Sequence, residues 1–573
     1  MPVSGGPLLL AGTGFAMLVW TWGAWSDPLV DFGRELYVPW RLAEGEGLYT
    51  DIAWFNGPLS QHWNALLFRA FGPGLSVLVW GNVLVLVTCL VMLYGLIHRL
   101  SDRLTATVAG MVFLLVFAFG QYVGIGNYNW ITPYSHELTH GVALSLGVLV
   151  ALERWRRTGS TVFAVLGGVA LGLCFLTKVE PFLAGAAAGA VMMSPAIRAR
   201  EVRALLAFFG GALIPIVASA LLLGAHETLG AWPSVLAGGV AELPFYQAGA
   251  GLDQPRARLV EMLVWSGFWL AALALPLAAG WLGRDTAGPG PPLAAASIAL
   301  LALAALGDRV PWLDALRPLP LATLVAGAGL VISGRRGGWS PRTVTGLAFA
   351  ALALVLLLKM LLRARAAHYG FALVMPASLL VVTALVGWLP RWLDGRGLRG
   401  EMFRACMLAL LAFVALEHIS VTSAWMSRKT EVVGTGRDTF RSDVRGVFVN
   451  HAVEYLAASD ARTVAVLPEG VQINYLARVP NPTPYVNFMP PEEILFGDAA
   501  WVEAFRQAPP DVILIVPKDT SEYGRGSFGS GYGRALAAWV AAEYVPERAI
   551  RVDGLTFEIV ILVRRRPVDM EDP

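Results

Sequence analysis

About thirteen apolar runs, most of them near the 17–25 residues that cross a bilayer as a helix, recur through the first 422 residues. They lie near 6–25, 75–97, 104–122, 138–152, 160–177, 180–195, 204–225, 259–282, 291–307, 319–333, 344–362, 371–389 and 405–422. In hydrocarbon a backbone must satisfy its own hydrogen bonds, so runs of this kind fold as helices. The expectation is a polytopic α-helical membrane protein. Composition agrees: charged residues make up 15% of the chain, against about 25% in soluble domains. The first run has no positively charged segment ahead of it, so it is read as a retained helix rather than a cleaved signal.

The loops between the runs alternate in character. HRLSDR (98–103), ERWRR (153–157), IRAREVR (197–203), GRRGG (334–338) and RWLDGRGLRGEMFR (391–404) are rich in Arg. The intervening loops, 26–74, 123–137, 226–258 and 308–318, are mostly acid-containing, and 363–370 is a basic exception. The positive-inside tendency puts the Arg-rich set in the cytoplasm. An odd number of crossings then leaves everything after Thr422 outside. A net charge of +2 with no basic tract gives no reason to expect nucleic acid. Cys89, Cys174 and Cys406 stand far apart in apolar stretches. They form neither a disulfide framework nor a metal-spacing motif.

Residues 1–426 are expected to form the membrane module and 427–573 a small α/β extracytoplasmic domain. In the latter, Thr463–Leu467, Val512–Val516 and Phe557–Val563 read as buried strands, and 447–458, 499–507 and 532–544 as amphipathic helices. Its Gly-rich stretch YGRGSFGSGYG (523–533) lacks the Lys-Ser/Thr ending of a phosphate loop. It is either a surface loop or a substrate-contacting lid.

Within this frame the stretch Ser26–Gly72 stands out, because a plain connector needs neither its length nor its chemistry. It carries Asp27, Asp31, Glu35, Glu44, Glu46 and Asp51, with Arg34 among them, and the aromatics Tyr37, Trp40, Tyr49, Trp54 and Phe55. Long loops of this kind are usually functional. Asp31 is read as a carboxylate placed at headgroup depth to take a proton from a hydroxyl; the alternative is that it caps a short helix and pairs with Arg34. The next outer loop, GNYNWITPYSHELTHG (126–141), gathers Asn127, Asn129, Tyr134, His136, Glu137 and His140. His136 and His140, at i and i+4, share a helix face. Metal binding, substrate hydrogen bonding and a purely structural cluster all remain open for them, so a divalent cation is possible although no cofactor is indicated.

Cations follow. FLTKVEPF places Lys178 and Glu180 between apolar runs, where ionisable residues are costly and often functional. They are equally able to neutralise each other. LKMLLRARAAHYGFALVMP (358–376) puts Lys359, Arg363, Arg365, His368 and Tyr369 at an outer helix junction, against the positive-inside tendency. A phosphate at headgroup depth would explain them, since Arg grips phosphate bidentately; headgroup anchoring of a helix end is the alternative.

At these residues the chain resembles the C-type (GT-C) glycosyltransferases, most nearly the bacterial dolichyl-phosphate-mannose–protein mannosyltransferase-like and aminoarabinose transferase group. Three stretches carry the likeness: Asp31, Arg34 and Glu35 followed by Pro39, Gly45 and NGPLSQHWNALLFRAFG; GLCFLTKVEPFLA (172–184); and HYGFALVMPA (368–377). The resemblance implies a multi-pass enzyme, in the bacterial cytoplasmic membrane, with an extracytoplasmic active site. It would transfer a sugar from a polyprenyl-phosphate donor to a hydroxyl of a protein, lipid or polysaccharide, with inversion. It further implies that Asp31 is the base and that Glu137, in the second outer loop, assists; Glu35, close to Asp31, is a further candidate catalytic carboxylate. Arg34, Tyr49, Asn56, His62, Asn129, Tyr134, His136, Lys178, Glu180, Arg365, His368 and Tyr369 would contact substrate. The chain departs from the family in two places. Phe32, Gly33 and Arg34 separate the two acids that are adjacent in many members, and Asn56-Gly57-Pro58 stands where some carry Lys-Pro-Pro. Arg365, His368 and Lys178 are therefore expected to hold the phosphate instead. A transporter or flippase of a lipid-linked or small polar solute is the alternative function.

Overall fold

A computed structural model describes residues 5–230, 232 and 239–565. Parts of two expected regions, 231 and 233–238 of the loop 226–258 and 566–573 of the C-terminal domain, lie outside the described residues.

Among the described residues, eight helices are long and apolar enough to cross a membrane by length and composition, including Leu75–Leu100, Val202–Leu223, Pro341–Met360, Gly370–Asp394 and Gly400–Met426. Gly5–Trp20, Arg103–Ala118, Thr161–Phe175 and Gly290–Leu306 are shorter apolar helices. The expected span 138–152 lies within the helix His136–Thr158, which is polar at both ends. Several helices owe their apolarity to the bilayer rather than to a protein core: Leu206, Leu213, Leu221, Leu263 and Leu301 are all exposed side chains.

Contacts sort the loops into two ends. Arg99 pairs with Glu153, Arg391 and Arg404 meet Asp102 at 2.8 and 3.2 Å, and Arg342 Nε donates to the Arg99 carbonyl at 3.0 Å. The Arg-rich loops at 98–103, 153–157 and 391–404 thus share one end. The first two acid-containing loops, the 358–370 junction and the C-terminal part line one cavity at the other.

The long first loop is largely helical. Phe32–Glu44 and Leu59–Phe71 are amphipathic helices packed on each other. The turn between them sits directly on the break between helices Thr161–Phe175 and Val179–Ala199. There Gly57 N–H and Leu59 N–H donate to the carbonyls of Thr177 (2.7 Å) and Leu176 (3.0 Å). A Cβ at Gly57 would lie 2.2 Å from the Leu176 oxygen, so only glycine permits this approach.

In the C-terminal part, strands Val464–Leu467, Val512–Ile515, Glu558–Arg564 and Tyr544–Arg551 lie in that order; the first two pair in parallel and the others antiparallel. The last of these strands was not legible in the sequence: Pro, Glu and Arg interrupt its apolar pattern. A two-stranded ribbon, Glu431–Val433 with Phe440–Ser442, precedes the sheet. Alternation along the strands gives each face its own core. Ala465, Leu467 and Ile513 pack against Phe488, Trp501 and Phe505. Val464, Val466 and Leu514 join a core that runs on through Phe32, Leu36 and Trp40 of the first loop into the membrane helices. The sheet and the first loop are therefore held by shared apolar burial, and by Asp27, which pairs with Arg445 at 2.8 Å.

Candidate active site

Asp31 stands at the entrance of helix Phe32–Glu44 with φ +59° and ψ −60°, a conformation unfavourable for a residue with a Cβ. Such a conformation persists only where the surroundings enforce it. Here they do. Asp27 Oδ1 accepts the N–H groups of Leu29 (3.1 Å) and Val30 (3.0 Å), while Asn127 accepts Asp27 N–H (2.9 Å) and donates to the Val30 carbonyl (2.5 Å). Glu469, from the C-terminal part, accepts Asp31 N–H at 3.0 Å. The Asp31 carboxylate caps no helix N–H; it faces Arg34 Nη2 at 3.3 Å. Burial pushes its pKa up to about 6, with Arg34 opposing that rise and Glu469 adding to it.

Asp31 opens onto a cavity that is partly continuous with solvent. Arg34, Phe55 and Asn56 of the first loop line it, with Tyr128 and Tyr134 of the second. Lys178, Lys359, His368 and Tyr369 come from the helix junctions, and Glu469, Asn487, Glu492, Lys518 and Tyr523 from the C-terminal part. Lys178 Nζ donates to Tyr134 Oη at 3.4 Å and lies 5.2 Å from that ring's centre. Glu180 does not pair with Lys178: it holds Lys359, whose ammonium also lies 4.6 Å from the Tyr369 ring. Lys178 thus carries no direct carboxylate partner among the described residues.

Behind the cavity lies a buried polar network. Glu35 Oε2 accepts His136 Nδ1–H at 2.6 Å, His136 N–H at 3.2 Å and Gln61 Nε2 at 3.2 Å. Asn82 donates to His136 Nε2 at 3.0 Å, which fixes the ring proton on Nδ1. Gln61 also donates to Glu137 Oε1 (3.0 Å), and Ser135 to Glu137 Oε2 (2.8 Å). Burial lifts Glu35 to about 7, with Arg34 holding it down in part. Glu35, His136 and Glu137 are fully buried and face one another, not the cavity. His140 pairs with Ser60 at 3.0 Å. Among the described residues no three His, Cys, Asp or Glu side chains gather as metal ligands. At the cavity Asp31 pairs with Arg34 and Glu469 with Lys518 (2.6 Å), so two of its carboxylates already hold cationic partners.

The structure therefore brings Asp31, Arg34, Asn56, Tyr134, Lys178, His368 and Tyr369 together on one cavity and leaves the rest off its wall. Asn129 closes its own turn, accepting from Ile131 and Thr132 N–H and donating to the Gly126 carbonyl. Tyr49 donates to the Asn56 carbonyl and faces a separate hollow beside His226. His62 meets Glu227 at 3.1 Å. Arg365, the expected phosphate ligand, does not reach the cavity; burial, then Arg363 and Arg317 beside it, lower its pKa to about 10. His368 lines the cavity but is no cation: burial and Arg365 lower it to about 3, and its ring lies 4.9 Å from that of Tyr128. Sequence reasoning missed Glu469, Asn487, Glu492 and Lys518, isolated polar residues with no local motif.

No protein-family model matches the sequence, nor does any curated protein. Solved structures do resemble the whole architecture. The oligosaccharyltransferase of Archaeoglobus fulgidus, in complex with Zn and sulfate, aligns over 96% of this chain and 72% of its own, with a TM-score of 0.50 and 12% identity. The same enzyme tethered with an acceptor peptide gives a TM-score of 0.48 at 13% identity, over 97% of this chain and 74% of that one. ArnT of Cupriavidus metallidurans bound to undecaprenyl phosphate gives 0.45 at 14% identity, over 98% of both chains. At such identities the likeness is one of fold. The fold of this chain is that of the C-type glycosyltransferases.

Proposed function

We propose that the chain is a membrane glycosyltransferase that moves a sugar from a polyprenyl-phosphate donor to an acceptor hydroxyl. The observation that carries this reading is the meeting of the Asp31 carboxylate with Lys178 and Lys359 on one cavity, at the end of a GT-C fold opposite the Arg-rich loops. Asp31 takes the proton of the acceptor hydroxyl as that oxygen attacks the anomeric carbon. The bond from this carbon to the phosphate oxygen breaks, the polyprenyl phosphate departs with the electron pair, and the configuration at carbon inverts. Two ammonium groups fixed by aromatic and carboxylate neighbours suit the phosphate in both its bound and departing states, because preorganised charges stabilise a developing anion without reorganisation. Arg34 keeps the buried base ionised near neutral pH, against the desolvation that would otherwise protonate it.

The network of Glu35, His136, Gln61 and Glu137 supports this site from behind. It holds Arg34, whose Nε lies 3.7 Å from Glu35 and whose Nη2 donates to the Tyr134 carbonyl at 3.2 Å. No step of the mechanism passes through a metal. The test is turnover of polyprenyl-phosphate sugars by purified protein in lipid. Asp31→Asn should lose about 10²–10⁴ of the wild-type rate, the range of a general base. Equal turnover by the Asn variant, or solute uptake into vesicles without glycosyl transfer, would refute the proposal.

A further inference from the structure

The cavity wall is divided by chemistry. Apart from the Asp31 carboxylate, the charged groups that the membrane-side segments supply are hydrogen-bond donors, Arg34, Lys178 and Lys359. The C-terminal part supplies mainly acceptors, Glu469, Asn487, Glu492 and Glu522; its one cation, Lys518, is already held by Glu469 at 2.6 Å. Two of these residues are conspicuous. Asn487 is 5% exposed and Glu492 6%, and Asn487 Oδ1 and Glu492 Oε2 have no hydrogen-bond partner among the described residues. A buried polar atom without a partner is destabilising, and its persistence beside a cavity calls for an explanation. Helix Pro490–Phe496 fixes Glu492 in its first turn, and Phe488, packed into the sheet's core next to Asn487, anchors the other end of the wall.

A glycosyl phosphate has the matching polarity. Its phosphate only accepts hydrogen bonds, whereas each sugar hydroxyl can donate one. We infer that Asn487 and Glu492 form the sugar-recognition wall of the cavity, so that the C-terminal part binds the hydroxyls of the donor sugar while the membrane-side lysines bind its phosphate. The arrangement sets the sugar ring between this wall and the phosphate, with Asp31 at its side. The Asn487 amide can pair with a hydroxyl in either orientation, and the Glu492 carboxyl can accept from one when ionised or donate to one when protonated. Selection among sugars then lies in the C-terminal part and not in the membrane helices. A site built to pair a substrate hydroxyl discriminates strongly against ligands that lack it.

This inference rests on the glycosyltransferase reading, and the test separates the two. Binding to full-length protein in nanodiscs would be measured for a bare polyprenyl phosphate and for the same lipid carrying glucose, mannose, galactose or arabinose. Wild type should bind at least one glycosylated lipid about 10-fold more tightly than the bare one, as expected for a buried hydrogen bond to a charged group. Asn487→Ala and Glu492→Ala should lose that increment and bind the bare lipid as wild type does, which also shows them folded. Glu492→Gln, which keeps a hydrogen-bonding group, should retain part of it. An increment that survives both alanine variants would overturn the inference while leaving the glycosyltransferase reading intact. So would variants that lose bare and glycosylated lipid alike, or a wild type that binds all the lipids equally. Failure of wild type to bind any of them would overturn both.

Discussion

Removing the charge of Arg34 should move the acid limb of the pH–rate profile upward. Asp31 titrates at about 6 because burial raises its pKa and Arg34, 3.3 Å away, pulls it back. The pair is well screened from water, with side-chain exposures of 11% and 19%. An opposite charge at this range lowers a carboxyl by about 1–3 units, so Arg34→Gln should place Asp31 at about 7–9. The sign follows from the role. A base works deprotonated, so kcat/KM falls as pH drops through its pKa, and the variant loses activity over a window that wild type still tolerates. At pH 7 the loss should be about 10-fold or more if the shift reaches 2 units, and it should recover above pH 9. Arg34→Lys keeps the charge and should leave the limb near 6. Glu35 also lies beside Arg34, with a pKa raised to about 7, so Glu35→Gln is the necessary companion. It should keep the limb and move it, if at all, downward, because the Glu35 charge adds to the rise at Asp31. The assay is kcat/KM for a polyprenyl-phosphate sugar across pH 5–10. A limb that does not move in Arg34→Gln, or that disappears in Glu35→Gln, would show that Asp31 is not the titrating base.

Further outcomes are expected from the same geometry. Lys178→Ala should weaken donor use more than Arg365→Ala, because Lys178 lines the cavity and Arg365 does not; donor-dependent kinetics showing the reverse order would relocate the phosphate to the 363–368 junction. Gly57→Ala sets a methyl group against the Leu176 carbonyl and should destabilise the docking of the first loop by about 1–3 kcal/mol, read as a lower Tm in detergent; an unchanged Tm would mean the turn is not held there. A cysteine at Arg506 should react with a membrane-impermeant thiol reagent on intact cells and one at Arg396 should not, the native Cys89, Cys174 and Cys406 being buried; the opposite labelling would invert the topology.

The membrane helices were legible in the sequence because the bilayer imposes a local requirement, a contiguous apolar run of fixed length, and local requirements leave a local trace. The alternation of Arg-rich loops is of the same kind, and the contacts of Arg99, Arg391 and Arg404 gather those loops as their charge suggested. Asp31 and Lys178 could be singled out since each is an ionisable group where apolar surroundings make one costly. What the sequence could not convey was pairing. Lys178 and Glu180 are two residues apart and invite mutual neutralisation, yet the chain breaks at Lys178 before the helix Val179–Ala199 begins, and the two side chains diverge. Glu180 finds Lys359, and Lys178 is left to the cavity. Likewise His136 and Glu137 read as site residues by composition, but the fold turns them inward onto Glu35 and Gln61. Glu469, Asn487 and Glu492 gave no signal, since no motif or spacing sets them apart from the other polar residues of the C-terminal part. They reach the cavity only because the sheet shares a core with the first loop, and that burial, built from residues hundreds of positions apart, is a property of the tertiary structure alone.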